Sequence, residues 1–431
     1  MYPVLTLPVE IVDEIFLHCL PILPHPDGSS WTWACESLPP ATNEVPLLLS
    51  SICSAWRAIA LSSPSLWTSL ALHFESVPSY SQASHDRASL CQTWLSRSRE
   101  LPLHLSLRYR YPDVVPPTSI DSQSEDGDTV LDVLRKCSLR WKTLRISVQR
   151  GDFDRLCRQL NGRIPLLDTL CVDIVEGGTS HNSGWIQVFW DAPALQNLSI
   201  ATPSWFLFLP MHLPVNRLKR LCVTRFAFAT FLLSLAPHIQ ECSVYLDREG
   251  EREILPFEPV PHAGLRSLRL LRGERHGLLL DCLAVPALQI LELTLGSEDQ
   301  AHFINFMARS SCPLQILSLS SCGEISADAL LRCLAATPSL TELTMDLTYA
   351  DHAHNMPDAL ISTLLTTLRI SGVPDTAYRG LAEMLATSSL RDFTMEAYEC
   401  AGPDLKAIQA LKALAFSGMG ISLSVDGYIW V

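Results

Sequence analysis

Between residues 313 and 345, PLQILSLSSCGEISADALLRCLAATPSLTELTM, the spacing of apolar side chains changes period twice. Leu314, Leu317 and Leu319 stand at L-x-x-L-x-L spacing, which places them on one side of a strand. Cys322 follows as the small residue where the chain turns inward. Ile325, Leu330 and Leu334 come next, the last two one helical turn apart on a returning segment. Pro338 then precedes Leu340, Leu343 and Met345, where the triplet starts again. The pattern predicts a strand, a turn and a returning helix.

One such unit cannot stand alone. Burying six or seven apolar side chains returns about 1.5 to 3 kcal/mol each, while ordering ~26 residues costs roughly 1 to 2 kcal/mol each. Neighbouring units must share a core. Matching triplets begin at Trp141, Leu167, Leu195, Leu218, Ile239, Leu265, Leu288, Leu314, Leu340, Leu365, Leu390 and Leu411, at separations of 21 to 28 residues. The last of them reads Leu411, Leu414 and Phe416. This spacing is that of a leucine-rich repeat, so the fold class expected is α/β, a solenoid of about twelve irregular repeats over residues 130–431. Pro165, Pro193, Pro237, Pro286, Pro313 and Pro338 sit one or two residues before their anchors, where proline is expected to end the returning helix and start the strand.

The first 61 residues are patterned differently. In TLPVEIVDEIFLHCLP, Pro8 stands at a first helical position and Glu10, Asp13 and Glu14 favour the helix dipole. Ile11 and Ile15 make one apolar row, and Val12, Phe16 and Leu20 a second. The next helix, PLLLSSICSAWRAIALSSP, sets Leu48, Ile52 and Ile59 on one side and Leu49, Cys53 and Trp56 near another. Two short helices with two apolar faces each hold more apolar surface than they can bury against one another. Such a pair needs a partner.

L-P-x-E-I near the start, a short helix ending in Leu-Pro, and then I-C-S-A-W-R-x-I-A resemble an F-box, the module that anchors substrate receptors to the adaptor subunit of cullin–RING (SCF) ubiquitin ligases. SSPSLWTSLALHF, TWLSRSRELPLHLSL and SLRWKTLRI further on are similar to the F-box-like families expanded in mushroom-forming fungi. The resemblance implies a small all-α head over residues 1–61, interrupted by an insert at 22–46 that exceeds the minimal F-box loop. It also implies that Leu7, Pro8, Ile11, Ile15, Leu49, Cys53 and Trp56 build the head or its adaptor surface. Trp31 and Trp33 in the insert are expected to fold back on the head.

Residues 62–129 are expected to connect head and repeats. An extended piece holding Trp67 and Leu70 to Phe74, a helix from Asp86 to Arg99 with Leu90, Trp94 and Leu95 on one face, and the strand LHLSLRYR would cap the first repeat. The acidic, proline-containing stretch 111–128 reads as a solvated loop, with Ser119, Ser122 and Ser124 beside acids as candidate phosphorylation sites. Val130 to Cys137 is expected to be a helix. At the other end, SVDGYIWV with Trp430 is expected to cap the last repeat.

Composition narrows the function. A net charge of −13 argues against a nucleic-acid backbone or an anionic membrane surface as partner. No Lys or Arg precedes Arg57, and the apolar run Phe226 to Ala236 is far shorter than a membrane span, so an intracellular protein, cytoplasmic or nuclear, is expected. The 14 cysteines contain no C-x-x-C pair and several fall on repeat positions, which points to buried reduced thiols. GGTSHNSG at 177–184 lacks the rest of a phosphate loop, DREGERE at 247–253 reads as a charged loop, and DHAH at 351–354 lacks further metal ligands. No catalytic motif appears, so neither an enzyme nor a cofactor or metal is expected.

Partner binding is expected on residues between the apolar anchors, which look outward from the strands. Tyr245, Leu271, Ile290 and Ile316 would form an apolar strip there, continued by Glu342 and Asp346 on a face that turns acidic towards the C-terminal end. Together with the resemblance this implies a substrate-recognition subunit of an SCF ligase, bound through its head to the adaptor, and through it to the cullin, and through its repeats to a protein target. The alternative is a leucine-rich scaffold outside any ligase, with a degenerate F-box.

Overall fold

A computed structural model of the chain describes residues 7–20, 41–74, 82–109, 130–149, 164–175, 192–201, 214–246, 258–271, 276–296, 298–320, 327–346, 365–371, 390–397, 405–425 and 428–429, with isolated positions between them. The expectations placed on Trp31 and Trp33, on 111–128, on the glycine-rich, charged and DHAH segments, and on Cys322 and Trp430 lie outside the described residues. The fold is mixed α/β. It divides into two compact units, Met1–Leu218 and Lys219–Val431.

The first unit begins with helices α1 (Val9–His18), α2 (Ala41–Ile52) and α3 (Ser54–Ser62). The expected second helix is thus two helices, and α2 starts inside the stretch read as an insert. The break falls at Cys53, whose backbone is extended and whose Sγ accepts the Trp56 N–H at 3.4 Å, capping α3. Strand β1 (Ser69–Phe74), helix α4 (Gln82–Arg97), strand β2 (Leu103–Tyr109), helix α5 (Val130–Lys136) and strands β3 (Trp141–Gln149), β4 (Thr169–Val175) and β5 (Asn197–Ala201) follow. These five strands pair in parallel in chain order. Leu70, Leu105, Leu144, Leu170 and Leu198 share one register and are all buried. The connector therefore adds two full strands to the same apolar rows.

Helix α4 corrects one expectation. Trp94 and Leu95 are buried as foreseen, but Leu90 is 71% exposed, and the inward face is completed by Ala88 and Cys91. Trp94 meets the edge of Trp67 at a ring-centroid distance of 4.6 Å, and the Arg97 guanidinium lies 4.4 Å from the Trp67 ring.

The second unit has strands β6 (Arg220–Val223), β7 (Glu241–Tyr245), β8 (Val260–Pro261), β9 (Ser267–Leu271), β10 (Leu283–Ala284), β11 (Ile290–Thr294), β12 (Ile316–Ser320), β13 (Glu342–Asp346), β14 (Thr367–Ser371), β15 (Asp392–Ala397), β16 (Gly420–Val425) and β17 (Tyr428–Ile429). β6, β7, β9 and β11 to β16 run parallel in that order, β17 closes antiparallel on β16, and β8 pairs separately with β10. Helices α6 (Phe226–Leu235), α7 (His276–Asp281), α8 (Gln300–Ser310), α9 (Ala327–Ala335) and α10 (Leu405–Phe416) lie between strands in the chain. Leu330 and Leu334 face inward from α9, as Phe303, Phe306 and Met307 do from α8.

A repeated backbone contact sets the strand starts. The carbonyl of Gln240 accepts the N–H groups of both Arg266 and Ser267, that of Arg266 those of Gln289 and Ile290, and that of Gln289 those of Gln315 and Ile316. Gln315, Thr341 and Thr366 continue the series. Five of the six prolines expected at helix ends and strand starts occupy one kind of turn. The N–H groups of Leu167, Leu195, Ile239, Leu288 and Leu340 donate to carbonyls three residues back at 3.1 to 3.3 Å, and Pro165, Pro193, Pro237, Pro286 and Pro338 occupy the second position of those turns. Proline's fixed φ suits that position. They set the turn that leads into the strand, and Pro237 also directly follows Ala236, the C-cap of α6.

Eleven of the twelve expected triplets are buried at all three positions. The twelfth is wrong. Leu411, Leu414 and Phe416 lie on helix α10, with Phe416 91% exposed. The strand instead pairs Phe393 with Ile421 and Met395 with Leu423, and the anchor position falls on Gly418 at φ +104°. Glycine takes that conformation without strain, but it has no side chain, so the apolar pattern does not mark it.

At the start of α7, Asp299 is buried and its carboxylate accepts the N–H groups of Gly277 and Gly296 at 3.1 and 3.0 Å. A Cβ on Gly277 would stand 2.4 Å from Asp299 Oδ1. Gly277→Ala is expected to cost about 1 to 3 kcal/mol, read as a lower midpoint in urea unfolding. Trp141→Ala, which removes the fully buried indole whose Nε1 donates to the Leu134 carbonyl at 3.2 Å, is expected to cost about 3 to 5 kcal/mol.

Candidate functional site

Two surfaces stand out, one in each unit. In the first, the apolar residues of the head split into two sets. Val12, Phe16, Leu49 and Ala60 are buried, and the Phe16 and Trp56 rings meet at 4.9 Å. Trp67 sits beneath them in the chain, fully buried, its Nε1 donating to the Ala60 carbonyl at 2.8 Å. Leu7, Val9, Ile11, Ile15, Leu47, Leu48, Ile52 and Leu61 remain 39 to 62% exposed. Ile11 and Ile15 are four apart on α1, and Leu48 and Ile52 four apart on α2, so each pair shares a helix face.

The sequence-expected adaptor residues divide along the same line. Leu7, Pro8, Ile11 and Ile15 are exposed, Cys53 and Trp56 half-buried, and Leu49 buried in the head's own core. Leu49 therefore builds the head and does not present itself. Val9, Leu47 and Leu61 are the exposed residues the apolar pattern did not single out. Their signal was present in the sequence, but a helix with apolar residues on two sides does not say which side its neighbours take.

The middle outward-facing row of the first unit's sheet is closed, while His104, Arg108, Thr143 and Asp173 in the flanking rows are half-buried. Ser106, Arg145, Cys171 and Ser199 share one register and are all buried, as are Ser147, Thr169 and Asn197 beside them. Ser106 Oγ is buried without a hydrogen-bond partner among the described residues, but around it polar groups pair locally. His104 Nδ1 lies 3.0 Å from Thr143 Oγ1, the Ser147 hydroxyl donates to Asp173 at 2.7 Å, and Asn197 Nδ2 donates to Asp168 at 3.0 Å. Burial lowers the His104 pKa, helped by repulsion from Lys142 and Arg145 and opposed by Asp168. Burial also holds the Asp173 carboxyl above its usual range, against the Ser147 hydroxyl and the Arg108 guanidinium.

The second unit's outward face is open. Arg269, Leu271, Ile290, Glu292, Ile316, Ser318, Glu342, Thr344 and Asp346 are half-buried, and Arg369, Asp392 and Glu396 are exposed. Tyr245, expected on the exposed strip, is only 6% exposed and does not line it. Ile290 and Ile316 pair directly in register, with Glu342 on the next strand. Arg220 reaches Glu241 at 3.2 Å and Arg269 reaches Glu292 at 3.6 Å. Burial holds the Glu292 carboxyl above its usual range, partly offset by Arg269.

The described cysteines are free, and most are buried. Burial pushes the Cys91 and Cys333 thiols up to about 11 and Cys242 to about 12, which leaves almost no reactive thiolate at neutral pH. Among the described residues no group of three or more His, Cys, Asp or Glu side chains is placed to hold a metal ion, and no helix is long and apolar enough to cross a membrane. Compared with protein-family models and with curated proteins, the chain has no match.

Asp173 gives a test of this electrostatic picture. A carboxyl whose folded pKa is raised binds more protons folded than unfolded between its ordinary and its raised value, so stability falls as pH rises through that window. Asp173→Asn keeps an acceptor for Ser147 and removes the buried charge. It is expected to raise the melting temperature at pH 7, and the gain should vanish when the pH is lowered below the window.

Proposed function

We propose that this chain is a non-catalytic substrate receptor, in which an F-box-like head binds the adaptor subunit of an SCF ubiquitin ligase and a leucine-rich solenoid holds a protein target. The observation that carries the reading is the split of the head. Its helices bury one apolar face and leave another, with Leu7, Ile11, Ile15, Leu48 and Ile52, in water. Exposed apolar surface of this kind is retained where a protein partner covers it. The repeat reading is supported by the eleven buried triplets and the carbonyl contact repeated at the starts of β5, β7, β9 and β11 to β15. Under this proposal the chain supplies proximity, with the transfer chemistry on other subunits.

The test is co-purification of the intact protein with an SCF adaptor subunit, beside Leu7→Ala/Pro8→Ala and Ile11→Asp/Ile15→Asp variants. Adaptor recovered with the parent and lost with both variants is the expected result. Circular dichroism should show the variants folded, since all four side chains are exposed. No adaptor with well-folded parent protein would sink the ligase role and favour a scaffold outside any ligase.

A further inference from the structure

The open sheet face of the second unit carries a charge pattern that its apolar pair alone does not explain. Across β13, β14 and β15, Glu342, Thr367 and Asp392 share one register, Thr344, Arg369 and Thr394 the next, and Asp346, Ser371 and Glu396 a third. Two carboxylates thus lie on β13 and two on β15, and Arg369 between them is the only cation among the described outward positions of these three strands. With strands ~4.8 Å apart and ~3.3 Å of rise per residue, the four carboxylates mark a rectangle of roughly 10 by 13 Å. The formal charge of the described outward positions on these three strands is −3, four carboxylates against one guanidinium.

Immediately beside it the character changes. Ile290 and Ile316 stand side by side on β11 and β12, half-buried, and Glu342 continues their row. On the far side of the pair the two signs alternate, Arg269 beside Glu292 and Arg220 beside Glu241. The face is therefore graded from mixed charge, through apolar, to predominantly acidic. From the β12 strand to the β14 strand is ~10 Å, about three residues of extended chain.

Resting on the reading that this face takes a protein target, we infer that its occupant is an extended segment with one or two apolar side chains followed about three residues on by lysine or arginine. The apolar side chains cover Ile290 and Ile316. The basic groups enter among Glu342, Asp346, Asp392 and Glu396, where they complement the field of this part of the sheet. An acidic or uncharged segment would bring its charge or none into a net negative face.

The experiment is panning a random dodecapeptide display library on the intact chain, with binding of the enriched peptides then measured by fluorescence anisotropy. Enrichment of sequences with Leu, Ile or Phe three or four residues before Lys or Arg is expected. Ile316→Asp should weaken such a peptide by about tenfold or more and Asp392→Lys by about two- to fivefold. Arg369→Gln, which removes the like charge, should tighten it, a gain that no folding defect can mimic. Binding should also fall as salt is raised from about 50 to 300 mM. Enrichment of acidic or uncharged peptides, or indifference to Asp392→Lys and Arg369→Gln, overturns the inference while leaving the face a protein receptor. No enrichment above a control protein overturns the inference together with that half of the proposed function, and the adaptor co-purification remains a separate result.

Discussion

Each strand of this protein is completed only by its neighbours. A parallel strand has no local hydrogen-bond partner, and an L-x-x-L-x-L triplet has no second apolar layer of its own, so both requirements are met across the register. The carbonyl that accepts two N–H groups from the next strand start, as Gln240 does from Arg266 and Ser267, ties these two demands together. It places each new triplet level with the last. Leu268, Leu291, Leu317, Leu343, Leu368 and Phe393 consequently form one continuous buried row.

That constraint also governs the other side of the sheet. With every inward position committed to the core, variation is confined to the alternate residues, and these decide what the face can meet. In the first unit they are mostly polar side chains, buried along the middle row from Ser106 to Ser199 and paired at its flanks, as Ser147 is with Asp173. In the second they include isoleucines and carboxylates that water reaches. The same backbone geometry thus supports a largely buried polar layer in one unit and a more open, graded surface in the other.

The head shows the complementary case of helices that do not complete one another. Val12, Phe16, Leu49 and Ala60 make a small core with the half-buried Trp56 ring against Phe16, and much of what remains apolar stays outside it. A core of this size cannot absorb two faces from each helix. The excess leaves the head with an exposed apolar surface, carried by residues a few positions from those that hold the head together.

Periodicity along the chain by itself determined the α/β class, the parallel strand starts from Trp141 to Leu390, the α5 helix and the inward row of α9, because triplet spacing dictates which side chains must be covered. It could not reveal the final strand, whose anchor is Gly418, since a glycine in the left-handed region leaves no apolar mark; Phe416 filled the pattern instead from an exposed helix. Nor could it decide sidedness where both sides are apolar, as for Leu49 against Leu48, or Leu90 against Cys91. Tyr245 fell on an outward position by count, yet the tertiary structure buries it. The division between covered and open surface was made only by tertiary packing, because burial depends on what neighbouring elements bring to a face, and one strand's spacing carries no record of that.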